Sequence, residues 1–98
     1  MGSSELPPAA ISTTQFLAIS KALADGNRYE ILQKIACSEG VGCSDLYSCV
    51  QITPATLSHH LHQLEQAGLI VIEREGKFAF PKLRREVWAG YLAELQKL

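Results

Sequence analysis

Residues 53–68, TPATLSHHLHQLEQAG, carry a helix start, a helix stop and two faces of different character. Thr53 suits an N-cap, because its hydroxyl can accept a bond from a free backbone N–H of the first turn. Pro54 follows at the first helical position, where a missing N–H costs nothing and a fixed φ fits the helix. Gly68 stands where a left-handed residue closes a helix. Between these ends Leu57, Leu61 and Leu64 recur at helical spacing and make one apolar stripe. The opposite face holds Ala55, Ser58, His59, His62, Gln63 and Gln66, which are short or planar, with Glu65 as its one acid. Such a helix packs by one side and offers the other to the base edges of a major groove, or simply to water.

Its neighbours favour the groove. Residues 43–50, CSDLYSCV, read as a short helix capped by Ser44, with Leu46, Cys49 and Val50 facing inward. Gln51 and Ile52 leave room only for a tight turn, Ile52 plugging the corner. Two helices joined this closely form a helix-turn-helix unit, the second being the reading helix. After it, residues 69–72 suit a strand, 74–77 a turn and 78–80 a returning strand, which Pro81 ends or continues on a free edge. A hairpin directly after a reading helix is a wing. Residues 74–85 hold five basic side chains (Arg74, Lys77, Lys82, Arg84, Arg85) against one acid, Glu75, while the formal net charge of the chain is −1. Positive charge is thus concentrated where a phosphate backbone would run. The plainer reading is that these are solvated tips.

Residues 1–11 hold a Pro7-Pro8 pair and read as a flexible or extended arm. A helix begins at Ser12 or Thr13 and runs to about Ala24, with Phe16, Ile19, Ala22 and Leu23 as its stripe and Leu17 beside it. Asp25 or Asn27 caps a second helix ending near Cys37, which buries Tyr29, Ile31, Leu32 and Ile35. Residues 38–42 form a glycine-flanked loop, and residues 84–98 form a last helix with Val87, Trp88, Tyr91, Leu92, Leu95 and Leu98 on one side. The sum is a mainly α fold with a β-hairpin wing: four helices, two strands and a fifth helix, one winged helix-turn-helix domain over residues 12–98. Ninety-eight residues make a small core, to which dimerisation would add burial. Phe16, Ile19, Leu23, Trp88, Tyr91, Leu92 and Leu95 are the candidate dimer interface, and packing within the home domain is the alternative.

Other functions find little support. No apolar run approaches the ~20 residues of a membrane span, and no secretory signal pattern opens the chain. Three cysteines without such a signal read as reduced thiols, which places the expectation in a cytoplasm. There is no glycine-rich phosphate loop, nucleophile elbow or HExxH, so no enzyme is expected. Ser58 and His59 are adjacent on a helix and point roughly 100° apart.

The segments KALADGNRYEILQKI, SDLYSCVQITPATLSHHLHQLEQAGLI and EREGKFAFPKL resemble the arsenic-repressor-like (ArsR/SmtB) winged helix-turn-helix regulators of prokaryotes. The likeness covers residues 18–83 in the right order and spacing, with Gly26 where the family often has proline. It implies a homodimer joined through the first and last helices, a palindromic DNA operator, and repression relieved by an effector. By motif position it implies DNA contacts at Thr53, Ala55, Thr56, Ser58 and His59, with Arg74 and Lys77 added by the wing; His62 shares the polar face. His60 matches an inward, structural position.

Cys37, Cys43 and Cys49 are the one constellation with chemistry of their own. Three thiolates suit a soft ion such as arsenite, Cd²⁺ or Zn²⁺, two suit a redox switch, and buried cysteine also serves as a small hydrophobe. The family's Cys-x-Cys-Asp-Leu-Cys pattern is not intact here, since the matching stretch is Gly42-Cys43-Ser44-Asp45-Leu46-Tyr47. The family's other metal site, on the last helix, is absent because residues 84–98 contain no histidine or aspartate. His59 and His62 carry one further expectation: with an unperturbed pKa of ~6.5, their protonation would strengthen DNA binding below neutral pH. A winged-helix module that binds protein and no DNA remains the rival from another class, favoured by the near-neutral charge and a reading helix without Lys or Arg.

Overall fold

A computed structural model describes residues 8–37, 42, 45–46 and 50–98 of the chain. Ser12 caps the first helix, α1 (Thr13–Ala22), by accepting the Gln15 N–H at 3.0 Å. The chain turns at once, and the Asp25 carboxylate accepts the Arg28 N–H at 3.0 Å at the start of α2 (Gly26–Cys37). Of the two expected caps Asp25 is therefore the one used. The helix α3 (Pro54–Gln66) begins as the sequence requires, with the Thr53 hydroxyl accepting the Thr56 N–H at 3.1 Å and Pro54 in the first turn. A hairpin of β1 (Ile70–Glu75) and β2 (Phe78–Leu83) follows, then α4 (Arg85–Gln96). This is a helical fold with a two-stranded antiparallel wing.

Four helices stand among the described residues where five were expected. Most of the helix expected over 43–50, and of the loop over 38–42, lies outside them. Asp45 and Leu46 are helical, and the Leu46 and Val50 amides donate to Gly42 O and Leu46 O, each four residues back. Leu46 and Val50 are buried and Ile52 packs on the core, as the turn into the reading helix demands.

The end of α3 shows why Gly68 is where it is. Gly68 N–H donates to Glu65 O and Leu69 N–H to Leu64 O, the paired bonds of a Schellman motif. Gly68 takes a φ of 83°, a conformation that a Cβ disfavours. Leu64 and Leu69, the positions whose apolar side chains accompany this motif, are both fully buried. The motif turns the chain directly from the reading helix into β1.

The core gathers Ile19 and Ala22 of α1, Ile31, Leu32 and Ile35 of α2, Leu57, Leu61 and Leu64 of α3, Leu69 just before the first strand and Ile70 within it, and Val87 and Tyr91 of α4. Each fully buried leucine or isoleucine contributes about 1.5–3 kcal/mol relative to exposure. Several expectations are corrected. Tyr29 is 49% exposed, because it falls off the side of α2 that holds Ile31, Leu32 and Ile35. α1 stops at Ala22, two residues early, where Leu23 and Ala24 close its last turn. Both strands are longer than read: pairing runs from Ile70↔Leu83 to Glu75↔Phe78, and the turn contracts to Gly76 (φ 62°) and Lys77. Pro81 lies inside β2, opposite Ile72, tolerated because the sheet has only two strands and β2 keeps a free edge. Arg84 precedes α4 as its N-cap residue.

Residues 8–11 run along α4. The Ala9 N–H donates to Glu86 O at 2.9 Å, Ile11 packs on the core, and the absence of a side chain at Gly90 leaves room for the Ala9 backbone. Gly68→Ala is expected to destabilise the fold by about 1–2 kcal/mol, from the left-handed backbone and the crowding of the Gln15 amide. Urea denaturation of the wild type and the variant measures it.

Candidate nucleic-acid interface

With Leu57, His60, Leu61 and Leu64 turned inward, the opposite side of α3 is bare. Ala55, Ser58, His59, His62, Glu65 and Gln66 are exposed and Thr56 is half-buried. Sequence spacing placed these residues together, and the fold does so. Thr53 is also exposed, but its hydroxyl already accepts the Thr56 N–H and donates to the Thr56 hydroxyl at 2.9 Å. Its first duty is the cap; of the pair, the Thr56 hydroxyl keeps its proton for another partner.

On the wing, Arg74 and Lys77 are exposed and make no ion pair among the described residues. The rest of the basic run is engaged. Lys82 pairs with Glu73 at 3.5 Å, Arg84 with Glu86 at 3.1 Å, and Arg85 donates to Ala36 O at 3.1 Å. The local excess of positive charge counted along residues 74–85 is thus reduced in space by Glu73, which lies just outside that stretch, and by Glu86, the residue after it. Exposed pairs of this kind contribute little to stability.

A polar junction behind α3 holds it in place; of its members only His60 was expected to face inward, from its match to the family. Arg28 donates through Nε to Ala22 O at 2.8 Å, through Nη1 to Gln63 Oε1, and lies 3.3 Å from His60 Nδ1. His60 Nε2 faces the Asp25 carboxylate at 3.9 Å. One guanidinium therefore ties the end of α1, the start of α2 and the inner edge of the reading helix. Burial pulls the His60 pKa below its ordinary value, opposed by the Asp25 charge and assisted by the Arg28 charge. The backbone N–H of Arg28 holds the Asp25 carboxyl below its own.

Of the cysteines, Cys37 is an exposed free thiol at the last position of α2, while Cys43 and Cys49 lie outside the described residues. Among the described residues no group of three or more His, Cys, Asp or Glu could hold a metal ion.

The proposed dimer residues divide. Trp88 stacks on Tyr91 with ring centroids 5.6 Å apart, Phe16 meets Tyr91 at 5.0 Å, and the Ser20 and Tyr91 hydroxyls lie 2.9 Å apart. Ile19 (0% exposed) and Tyr91 (6%) are spent in the chain's own core and have no surface to give a partner. Phe16, Leu23 and Trp88 are half-buried against the core. Leu92 and Leu95 are about 40% exposed, and Leu17 on α1, which lay beside the expected stripe, is 54% exposed. No described helix is long and apolar enough to cross a membrane.

A bare polar helix, a cationic hairpin tip beside it and a helix-turn entry before it define a winged helix-turn-helix domain. A helix-turn-helix domain family matches residues 23–73. The chain is 39% identical over 75 residues to the arsenical resistance operon repressor of Bacillus subtilis, covering 76% of this chain and 70% of that one. It is 35% identical to the arsenical resistance operon repressor of Staphylococcus aureus, over 67% of this chain and 62% of that one. A homodimeric winged helix-turn-helix DNA-binding domain from Mycobacterium bovis superposes with a TM-score of 0.70 at 27% identity, over 91% of this chain and 87% of that one. The chain belongs to the arsenic-repressor-like (ArsR/SmtB) family of winged helix-turn-helix transcriptional regulators, a family of regulators and not of enzymes.

The depressed His60 pKa sets the sign of a pH effect. The unfolded chain takes up this proton near pH ~6.5 and the folded chain only at lower pH, so the stability it supports is complete above about 6.5 and declines below. Thermal unfolding at pH ~7.5 and ~5.5, on either side of that value, is expected to show a lower midpoint in acid, with a smaller difference in His60→Gln. Equal pH sensitivity of the two proteins would refute this.

Proposed function

We infer that the chain is a DNA-binding transcriptional repressor that acts as a homodimer on a palindromic operator, each copy placing α3 in a major groove. The carrying observation is the exposed, hydrogen-bonding face of α3, with Glu65 as its one acid, beside Arg74 and Lys77 of the wing, which make no ion pair among the described residues. Ser58, His59 and His62 stand where base edges would be read, Thr53, Ala55 and Thr56 at the helix start where it enters the groove, and Arg74 and Lys77 where phosphates would pass. The second copy is the partner for the exposed Leu17, Leu92 and Leu95, flanked by Phe16, Leu23 and Trp88; Ile19 and Tyr91 support that surface from beneath. The domain proposed for this role is residues 12–98, and its expected setting is a prokaryotic cytoplasm. The names of the relatives support an arsenical or other soft-ion effector, and Cys37 is the described thiol that such an ion or an oxidant would reach.

Random duplex selection, followed by salt titration of the selected site, tests the reading. A palindrome bound more weakly as salt rises is expected; no enriched sequence would favour the protein-binding module instead. Arg74→Ala and Lys77→Ala are each expected to weaken all duplexes alike and to lower the salt slope by about 0.9 for each phosphate no longer neutralised. Ser58→Ala or His59→Ala should instead change which bases are preferred, by about 1–3 kcal/mol at the affected position. Leu92→Glu, placed on an exposed site, is expected to yield folded monomer in sedimentation. Loss of operator binding on adding arsenite to reduced protein, unaffected by Cys37→Ser, would remove Cys37 from the effector site.

A further inference from the structure

Between the end of α1 and the second half of α3 lies an open groove of about 400 Å³, lined by Lys21, Arg28, Gln63, Gln66 and three alanines. Its free polar groups are mostly donors. Lys21 is exposed and makes no ion pair or hydrogen bond through its side chain among the described residues. Arg28 spends Nε and Nη1 on Ala22 O, His60 and Gln63, which leaves Nη2 without a partner among the described residues. Gln63 Oε1 is occupied by that guanidinium, so its amide N–H₂ is the end left to offer. Gln66 is exposed and its amide can present either end.

The backbone acceptors at the groove's two helix ends are already taken. The carbonyls at the two helix ends here, Ala22 O and Ala67 O, accept from Arg28 Nε and from Gln15 Nε2 at 3.2 Å. No carboxylate among the described residues lines the groove. Two cations, the Gln63 amide with its acceptor already engaged, and the Gln66 amide, which can turn its N–H₂ inward, form a site for an oxyanion. Its outer lip is Gln66, on the same exposed side of α3 as His59 and His62, so the groove continues the surface assigned to DNA.

We propose that this groove seats a DNA backbone phosphate beside the half-site, with Lys21 as its principal charge and Arg28 Nη2 and the Gln63 amide as fixed donors. The assignment rests on the DNA-binding reading above and adds a second phosphate clamp on α1, apart from the wing tip. Arg28 thereby has two tasks, holding α3 and facing the phosphate. Lys21 has only one, which makes it the residue to change.

The experiment is a salt titration of operator binding by wild type, Lys21→Ala, Lys21→Arg and Arg74→Ala, with circular dichroism to confirm equal folding. Lys21→Ala is expected to lose about fivefold in affinity per protomer near 0.15 M salt and to lower the salt slope by about 0.9 per protomer. Lys21→Arg is expected to retain both. Lys21→Ala with unchanged affinity and slope, while Arg74→Ala lowers both, overturns this inference and leaves the DNA-binding reading standing. A wild type that binds no duplex at any salt overturns that reading itself. Thermal stabilisation by inorganic phosphate that Lys21→Ala abolishes, with the duplex slope untouched, would assign the groove to a free anion and overturn the backbone assignment.

Discussion

The rest of the structure depends on one asymmetric burial. The α3 helix gives Leu57, Leu61 and Leu64 to the core and leaves Ala55, Ser58, His59, His62 and Gln66 exposed on its other side. A helix can be held this way only if its ends and inner edge are secured, because the apolar stripe alone allows rolling about its axis. The Thr53 cap secures the start and the paired bonds around Gly68 secure the end. The Arg28 junction secures the inner edge. Reading surface and core are therefore two sides of one constraint.

The hairpin inherits its position from that arrangement. Leu69 is fully buried immediately after the helix stop, and the Arg84 N–H donates to Leu69 O at 2.8 Å where the chain leaves the sheet. The base of the wing is thus anchored in the core, while Arg74, Lys77 and Phe78 at its tip stand in solvent. Such an anchored base with an exposed tip allows the tip to move without disturbing the core. The same economy applies at α4, where Val87 and Tyr91 close the home core and Leu92 and Leu95 remain outside it.

Local signals were legible wherever a single residue type answers a backbone need. Thr53, Pro54 and Gly68 bracket the reading helix because a cap hydroxyl, a missing N–H and a left-handed backbone are each met by few residues. Periodicity likewise revealed the leucine stripe and, by subtraction, the polar face. It failed where a side chain sat at the margin of a stripe. Tyr29 lies off the side of α2 that holds Ile31, Leu32 and Ile35, whereas Ile19 and Tyr91 stood at plausible spacing for a partner and only neighbours distant in the chain turned them into the home core. Charge counting failed for a related reason: Glu73 and Glu86 lie just beyond the basic stretch, yet reach Lys82 and Arg84 across a strand pair and along a helix start.

By itself the sequence determined the kind of fold, the reading helix with its two ends, and the face that helix turns outward. These follow from backbone chemistry and helical period, which act over a few residues. Tertiary structure alone decided that Arg28 reaches from the start of α2 to Gln63 and His60, that Lys21 shares a groove with Gln66, and that Leu17 takes the exposed place Ile19 was expected to hold. The first two pairings join residues far apart in the chain. Their partners are chosen by how helices pack and by which buried polar groups must find a hydrogen bond, and neither has a local signature.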